Sequence, residues 1–224
     1  LEPRVQGLQP AAASRRFPSY LAPAMTQLPE LPLILSRQEI RKMIRQRRRA
    51  LTPEQQQEMG QQAATRMMTY PPVVMAHTVA VFLSFDGELD TQPLIEQLWR
   101  AGKRVYLPVL HPFSAGNLLF LNYHPQSELV MNRLKIHEPK LDVRDVLPLS
   151  RLDVLITPLV AFDEYGQRLG MGGGFYDRTL QNWQHYKMQP VGYAHDCQLV
   201  EKLPVEEWDI PLPAVVTPSK VWEW

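Results

Sequence analysis

The spacing of apolar and polar positions changes several times along the 224 residues, and each change predicts an element. From Ser36 the pattern is helical. "SRQE" forms a capping box, with Ser36 as N-cap and Glu39 reaching back to it; "TPEQ" repeats the device with Thr52, Pro53 and Gln55. Two helices should therefore meet near residues 51–53, the first strongly basic and the second ending near Thr69. "TVAVFLSF" (78–85) reads as a buried strand, rich in β-branched and aromatic residues. "TQPLIEQLWRAGK" predicts a helix from about Gln92 to Ala101, stopped by Gly102. "RVYLPVL" (104–110) and "NLLFLNY" (117–123) read as strands, and 124–150 as loops with short pieces of structure. "LDVLITPLVAF" (152–162) is the most apolar run and reads as a central strand. A glycine cluster follows, then a helix over about 175–186 ("FYDRTLQNWQHY") and strands at "PVGYAH" (190–195) and "PAVVTP" (213–218). Strands alternating with helices predict an α/β domain with a largely parallel sheet.

Composition narrows the class. With 45% hydrophobic and 21% charged residues and a net charge of +1, the chain has the balance of an ordinary globular domain and no global field for nucleic acid or anionic lipid. Its one cysteine, Cys197, excludes an intrachain disulfide and a cysteine-rich metal site, which fits a cytoplasmic location. No apolar run approaches the roughly 20 residues that span a bilayer, so no membrane role is expected. The first 35 residues carry six prolines, from Pro3 to Pro32. They read as a flexible leader or extension, with Met25 or Met43 as possible initiators, and residues 36–224 as the catalytic domain.

Chemistry concentrates at "RLGMGGGFYDRTL" (168–180). Four of the eleven glycines fall between Gly170 and Gly174, between an apolar run and a helix start. Such a turn offers unpaired backbone N–H groups to an anion, glycine permits close approach, and Arg168 adds a side-chain donor. Neither GxxxxGK[ST] nor GxGxxG is satisfied, so a phosphate loop and a tight structural turn both remain open on pattern alone. Asp177, in the first turn of the following helix, fits a helix-dipole carboxylate or a magnesium ligand beside phosphate.

The stretch "PLVAFDEYGQRLGMGGGFYDRTL" (158–180) resembles the signature of the 5-formyltetrahydrofolate cyclo-ligases. "DGELDTQPLI" (86–95), "KRVYLPVL" (103–110), "IHEP" (136–139) and "LPVEEWDIPL" (203–212) resemble that family's further landmarks, in order, over about residues 36–218. The resemblance implies a single-domain α/β fold, CoA-transferase-like, with a central mostly parallel sheet flanked by helices. It also implies a reaction: ATP- and Mg²⁺-dependent conversion of 5-formyltetrahydrofolate to 5,10-methenyltetrahydrofolate with release of ADP and phosphate. In that chemistry the formyl oxygen is phosphorylated, N10 attacks the activated carbon and phosphate departs, with no protein nucleophile. Positioning of the phosphoryl group would fall to Arg168, Gly172, Gly173, Gly174 and Tyr176. ATP would lie against Arg37, Gln38, Glu39, Ile40 and Arg41, and against Arg168, Leu169, Gly170, Met171, the three following glycines, Phe175 and Tyr176. Folate would meet Phe85, Glu88, Asp90 and residues 171–175, and the metal Asp177 and Asp209. Met171 stands where the family commonly has arginine, and Arg37 where it usually has lysine.

Blander readings stand beside these. Phe85 could be core, Asp90 a helix N-cap and Asp209 a turn residue. Trp99, Trp183 and Trp208 read as packing residues, and none of the six histidines forms a spaced metal pair. The basic run "RKMIRQRRR" (41–49) on the helix of 37–49 raises RNA binding as a rival function, which the near-neutral remainder of the chain weighs against. A folate- or nucleotide-binding homologue without turnover is a further alternative. A monomer is expected.

Overall fold

Both capping boxes form in the computed structural model of the chain, which describes residues 35–224. The leader or extension expected over residues 1–35 lies, Leu35 apart, outside the described residues. Helix α1 (Arg37–Arg49) is closed by Ser36 and Glu39, and α2 (Pro53–Thr69) by Thr52 and Gln55. A third helix, α3 (Pro71–Met75), unforeseen in the sequence, starts on the proline pair that ends α2.

Seven strands make the main sheet. They are β1 (Thr78–Ala80), β2 (Arg104–Leu110), β3 (Leu118–Tyr123), β6 (Val154–Thr157), β9 (Gln189–Tyr193), β11 (Ala214–Val216) and β12 (Val221–Glu223). Their order is β12-β11-β9-β6-β1-β2-β3. The five inner strands are parallel, and β3 and β12 close the edges antiparallel. Alternate residues serve opposite faces. Val79, Val154, Ile156 and Val216 pack beneath α2 and α4 (Gln92–Arg100), whereas Ala80, Leu155 and Val215 pack with Leu159, Phe162 and Leu180 on the other side. Burial of both faces is why these strands read as near-continuous apolar runs.

Three expectations need correction. The apolar stretch 152–162 is not one strand. Pro158, which has no N–H to give a ladder, ends β6, and the chain resumes as β7 (Ala161–Asp163) in a separate three-stranded sheet with β8 (Arg168–Leu169) and β10 (Leu199–Val200). The glycine cluster therefore leaves a short hairpin strand rather than the central one. The helix expected over 175–186 is only α5 (Phe175–Leu180), because Asn182 turns left-handed at φ 61°. Finally, β1 stops at Ala80, and residues 82–85 run out of the sheet toward the solvent edge. Between β3 and β6, β4 (Leu129–Met131) and β5 (His137–Pro139) form a hairpin.

Connectivity sets the site. From β1 the chain runs to β2 and β3 on one side, then returns to β6 on the other. The crevice beyond the carboxyl ends of β1 and β6 is thus a topological switch point, where open α/β sheets bind ligands. Helix α1 sits beside it, its Ile40 and Ile44 buried against Val160, Ala161, Leu169 and Leu203. Among the described residues no helix is long and apolar enough to cross a membrane.

Candidate active site

A cavity of about 590 Å³ opens at this switch point. Its floor is Leu107, Pro108, Pro158 and Leu159, from the ends of β2 and β6. One wall is the turn after β1, with Phe85 and Glu88. The glycine loop and Phe175, Tyr176 and Asp177 form another, flanked by Arg37, Gln38 and Arg41 of α1. The β4–β5 hairpin and Trp208 complete the rim.

The glycine loop is shaped by arginines. Gly172 and Gly174 have φ of 107° and 71°, conformations that side chains rarely adopt. Arg41 Nε donates to Gly170 O at 2.8 Å, and Arg178 Nη2 to Gly173 O at 2.5 Å. Arg178 Nε also donates to Gly116 O at 2.7 Å, where a side chain on Gly116 would collide with the guanidinium. Arg168 Nε donates to Pro158 O at 2.8 Å, using the carbonyl exposed by the break after β6, and Arg168 Nη1 lies 3.6 Å from Asp177 Oδ1. Its guanidinium also stands over the Tyr176 ring, 5.6 Å from the centroid.

Arg41 and Arg168 are both buried. Burial pulls both guanidinium groups down from their ordinary value; Arg37 and Arg45 press Arg41 further that way, while Asp177 and Tyr176 work against the shift at Arg168. Arg41 has no carboxylate in ion-pair contact among the described residues and Arg168 has only Asp177, so these desolvated cations make the pocket receptive to an anion. Burial raises the Tyr176 phenol, leaving a neutral hydroxyl donor at neutral pH.

The opposite wall holds itself. Glu88 accepts from Phe85 N at 3.1 Å through its side chain and donates its own N–H to Phe85 O at 3.0 Å. Thr91 Oγ1 donates to Phe82 O at 2.7 Å, and Leu89 is buried beneath. Burial raises the Glu88 carboxyl to about 7, against the pull of the Phe85 N–H, Arg48 and Arg168. Such an environment suits a group that takes up a charge role only when a ligand supplies donors.

Most of the expected residues converge here: Arg37, Gln38, Arg41, Phe85, Glu88, Arg168, Gly170 to Gly174, Phe175, Tyr176 and Asp177 all line the cavity. Four do not. Glu39 is spent closing the cap on Ser36, and Ile40 and Leu169 are buried in the core under the loop. Asp90 accepts from Gln92 N at 3.0 Å and faces an adjoining depression of about 490 Å³ that shares Phe85 with the main cavity. Glu138 and Asn132 line the cleft although sequence reading gave them no role, and Trp208, expected to be a packing residue, is exposed at the rim instead. Glu138 Oε2 accepts from Leu110 N and Asn132 Nδ2, each at 3.0 Å, and so fixes the β4–β5 hairpin as a wall. Only its place in "IHEP" signalled it.

The two aspartates expected around magnesium differ in occupation. Asp177 Oδ1 is buried, lines the cleft and accepts no hydrogen bond among the described residues. Its one charged neighbour, Arg168 Nη1 at 3.6 Å, is beyond hydrogen-bond distance, and a carboxylate oxygen with that much free acceptor capacity suits a hard cation. Asp209, by contrast, is taken up by Arg37 Nη2, with which it forms an ion pair, and by Glu206 N at 2.8 Å. The described residues contain no cluster of three or more His, Cys, Asp or Glu able to hold a metal unaided, so a magnesium ion at Asp177 would take its other oxygens from phosphate and water. The basic run of α1 is also largely committed. Arg47 donates to Cys197 O, Arg48 and Arg49 reach Asp86, and Arg41 holds the loop, so four of its six basic side chains have partners within the fold, while Lys42 and Arg45 are exposed.

Comparison with known proteins agrees with this geometry. The family model described as 5-formyltetrahydrofolate cyclo-ligase family matches residues 34–218. The chain is 53% identical over 176 residues to the 5-formyltetrahydrofolate cyclo-ligase of Haemophilus influenzae, covering 79% of this chain and 94% of that protein. It is 31% identical over 188 residues to the enzyme of that name from Mycolicibacterium smegmatis, covering 83% and 95%. The solution structure of Aquifex aeolicus 5,10-methenyltetrahydrofolate synthetase superposes with a TM-score of 0.72 at 28% identity, over 84% of this chain and 93% of that one.

Proposed function

We propose a division of labour within the cleft from one premise: the chain belongs to the 5-formyltetrahydrofolate cyclo-ligase family, and it is an ATP-dependent ligase converting 5-formyltetrahydrofolate to 5,10-methenyltetrahydrofolate. The observation that carries the assignment of roles is the convergence, at one switch point, of a glycine loop, two buried arginines and a half-buried carboxyl.

The triphosphate lies along Gly172 to Gly174, whose backbone N–H groups and the forks of Arg41 and Arg168 take its oxygens. The pterin lies against Phe85, with Glu88 accepting from its amino and ring N–H groups. This arrangement faces the γ-phosphoryl group toward the formyl oxygen. The N5 formyl group is an amide and a poor electrophile; its oxygen attacks the γ-phosphorus, ADP leaves, and the carbon becomes an iminium. N10 then adds to that carbon, its proton is lost, and phosphate departs with the former formyl oxygen. The chain contributes orientation and charge stabilisation rather than a nucleophile. Arg168, bound to Pro158 O and beside Asp177, is positioned to follow charge as it moves onto the transferred group. Asp177 would hold magnesium, which supplies neutralisation of the phosphate charges. Asp209 serves by fixing Arg37 at the rim. All these groups come from one chain, so the reading needs only a monomer, and the single cysteine leads us to place the enzyme in the cytoplasm.

Turnover is tested by mixing protein, 5-formyltetrahydrofolate and Mg·ATP and following the near-ultraviolet absorbance of the methenyl product. The role of Asp177 is tested by titrating magnesium in Asp177→Asn, monitoring nucleotide binding by calorimetry as well as rate. A weakened magnesium dependence is expected; an unchanged one rejects the metal assignment.

A further inference from the structure

We propose that Trp208 is the stacking platform for the purine of the nucleotide, an inference that rests on the phosphate-loop reading above. The other four tryptophans are engaged. Trp99 donates to Tyr123 O and packs on that ring, and Trp183 joins the core beneath α5. Trp222 packs against Phe162 and Trp224. Trp208 alone lines the cleft, 62% exposed, with no aromatic or cationic partner among the described residues. An indole left in water forgoes a large apolar burial, unless a flat ligand covers it.

Its mounting is firm. The turn that carries Trp208 is closed by Asp209 N donating to Glu206 O at 3.1 Å and Glu206 N to Asp209 Oδ2 at 2.8 Å. Arg37 fastens that turn to α1, through Asp209 and through Pro204 O at 3.3 Å. Arg41 lies one helical turn further along α1 and bonds the glycine loop. Arg37 and Arg41 therefore tie the indole and the phosphate loop to one edge of the cleft. Phe85 and Glu88 occupy the wall after β1, which leaves the α1 edge for the nucleotide and its outer end for the base. Stacking does not read base edges, so purines are favoured over pyrimidines by area, and Gln38, another cleft residue of α1, can hydrogen-bond a base edge.

The test uses calorimetry with ATP, with inorganic tripolyphosphate and with 5-formyltetrahydrofolate, magnesium present throughout, on wild type, Trp208→Ala and Trp208→Phe. Loss of one stacked base by truncation predicts ATP affinity lower by about fivefold to about a hundredfold in Trp208→Ala, and by less in Trp208→Phe. Tripolyphosphate and folate affinities should stay at the wild-type values. ATP binding that is unchanged overturns the proposal. So does a parallel loss for ATP and tripolyphosphate, which would mark a structural role, or a loss confined to folate, which would hand the indole to that ligand. Arg41→Ala provides the separate check on the underlying reading. If it leaves tripolyphosphate binding intact, the phosphate assignment fails independently of Trp208. Because the side chain is largely exposed, the unfolding temperature of both tryptophan variants should match wild type.

Discussion

The two facing walls of the cleft are held in opposite ways. The turn after β1 is fastened by its own neighbours: Glu88 to Phe85, Thr91 to Phe82 and Ser84, and Asp90 to Gln92 N, all within ten residues of chain. The glycine loop has little that is apolar to hold it, Met171 being 56% exposed. Its carbonyls are caught by Arg41, 129 residues away, and by Arg178, which also grips Gly116 at a separation of 62 residues. One wall keeps Phe85 and Glu88 in place through short-range bonds, with Arg48 and Arg49 at Asp86 and Gln56 and His195 at Gly87 O bracing the tip of the turn from afar. The other depends on cations that include Arg41, which we propose also takes the triphosphate, so that on this reading ordering of the loop and binding of anion are coupled.

Removing a loop cation should therefore have the largest effect. Arg168→Ala is expected to lower kcat/KM by about 100- to 1000-fold, the usual consequence of deleting one preorganised donor to a developing anion. It also leaves Asp177 without its cation and Pro158 O without its donor. Arg168→Lys should rescue only part, because one ammonium cannot reach a carbonyl and present a fork together. Steady-state kinetics with both substrates decides this; a loss below about tenfold would mean that the loop stands without its arginine.

On the self-held wall the comparable experiment is a titration. Glu88, raised to about 7 by burial, is neutral in the free cleft below that pH, whereas the role proposed for it, accepting from the pterin, requires the carboxylate. At pH 6 only about a tenth is ionised, so the folate KM should be about tenfold higher than at pH 8. Glu88→Gln should flatten that dependence. Stability runs the other way. Between the unfolded value of 4.5 and about 7 the native state binds more protons than the unfolded one, so stability falls as pH rises through that window. The full decline amounts to about 3 kcal/mol. Denaturant curves of Glu88→Gln over the same range should lose the slope, while those of wild type keep it.

The same contrast explains how much could be read from sequence. Contacts of short range were legible: both capping boxes form, β2 spans the residues of its apolar run, and the glycine cluster lies in the cleft. Interactions over long separations were not. Nothing local says that Pro158 breaks the run 152–162 so that its carbonyl can receive Arg168, or that Arg37 is matched to Asp209 across the fold. Trp208 looked like a packing residue because composition cannot tell a buried indole from one mounted on a surface turn. Five of the residues expected around ATP came from positions matched in the family signature yet divide by the direction their side chains take: Arg41 and Gln38 face the cleft, whereas Glu39, Ile40 and Leu169 cap or pack.

A smaller effect follows from the loop backbone. Gly174 sits at φ 71°, and a methyl there would stand 2.7 Å from Arg178 Nη1. Gly174→Ala should cost about 1–2 kcal/mol for the left-handed conformation alone, read as a shift in urea midpoint. Because the displaced groups include the Arg178 tether, activity should fall by more than the stability change accounts for. A variant that loses stability but keeps full kcat/KM would separate loop shape from function and weaken the contrast between the walls.

The smallest effect tests whether the turn after β1 is truly self-sufficient. Asp86, at φ 50°, receives Arg49 at 3.1 Å and Arg48 at 3.7 Å. Arg49 is 66% exposed, so its pair with Asp86 is screened by water and salt and should contribute between about 0 and 1 kcal/mol. Arg49→Ala is accordingly expected to shift the denaturation midpoint slightly at low ionic strength and not at all at high salt, with the folate KM unchanged. The bonds from Glu88 to Phe85 and from Thr91 to Phe82 do not involve this arginine, nor do those of Gln56 and His195 to Gly87 O, and together they should keep Phe85 and Glu88 in place. If Arg49→Ala instead raises the folate KM several-fold, the turn leans on α1 as the glycine loop does, and both walls would owe their geometry to the same basic helix.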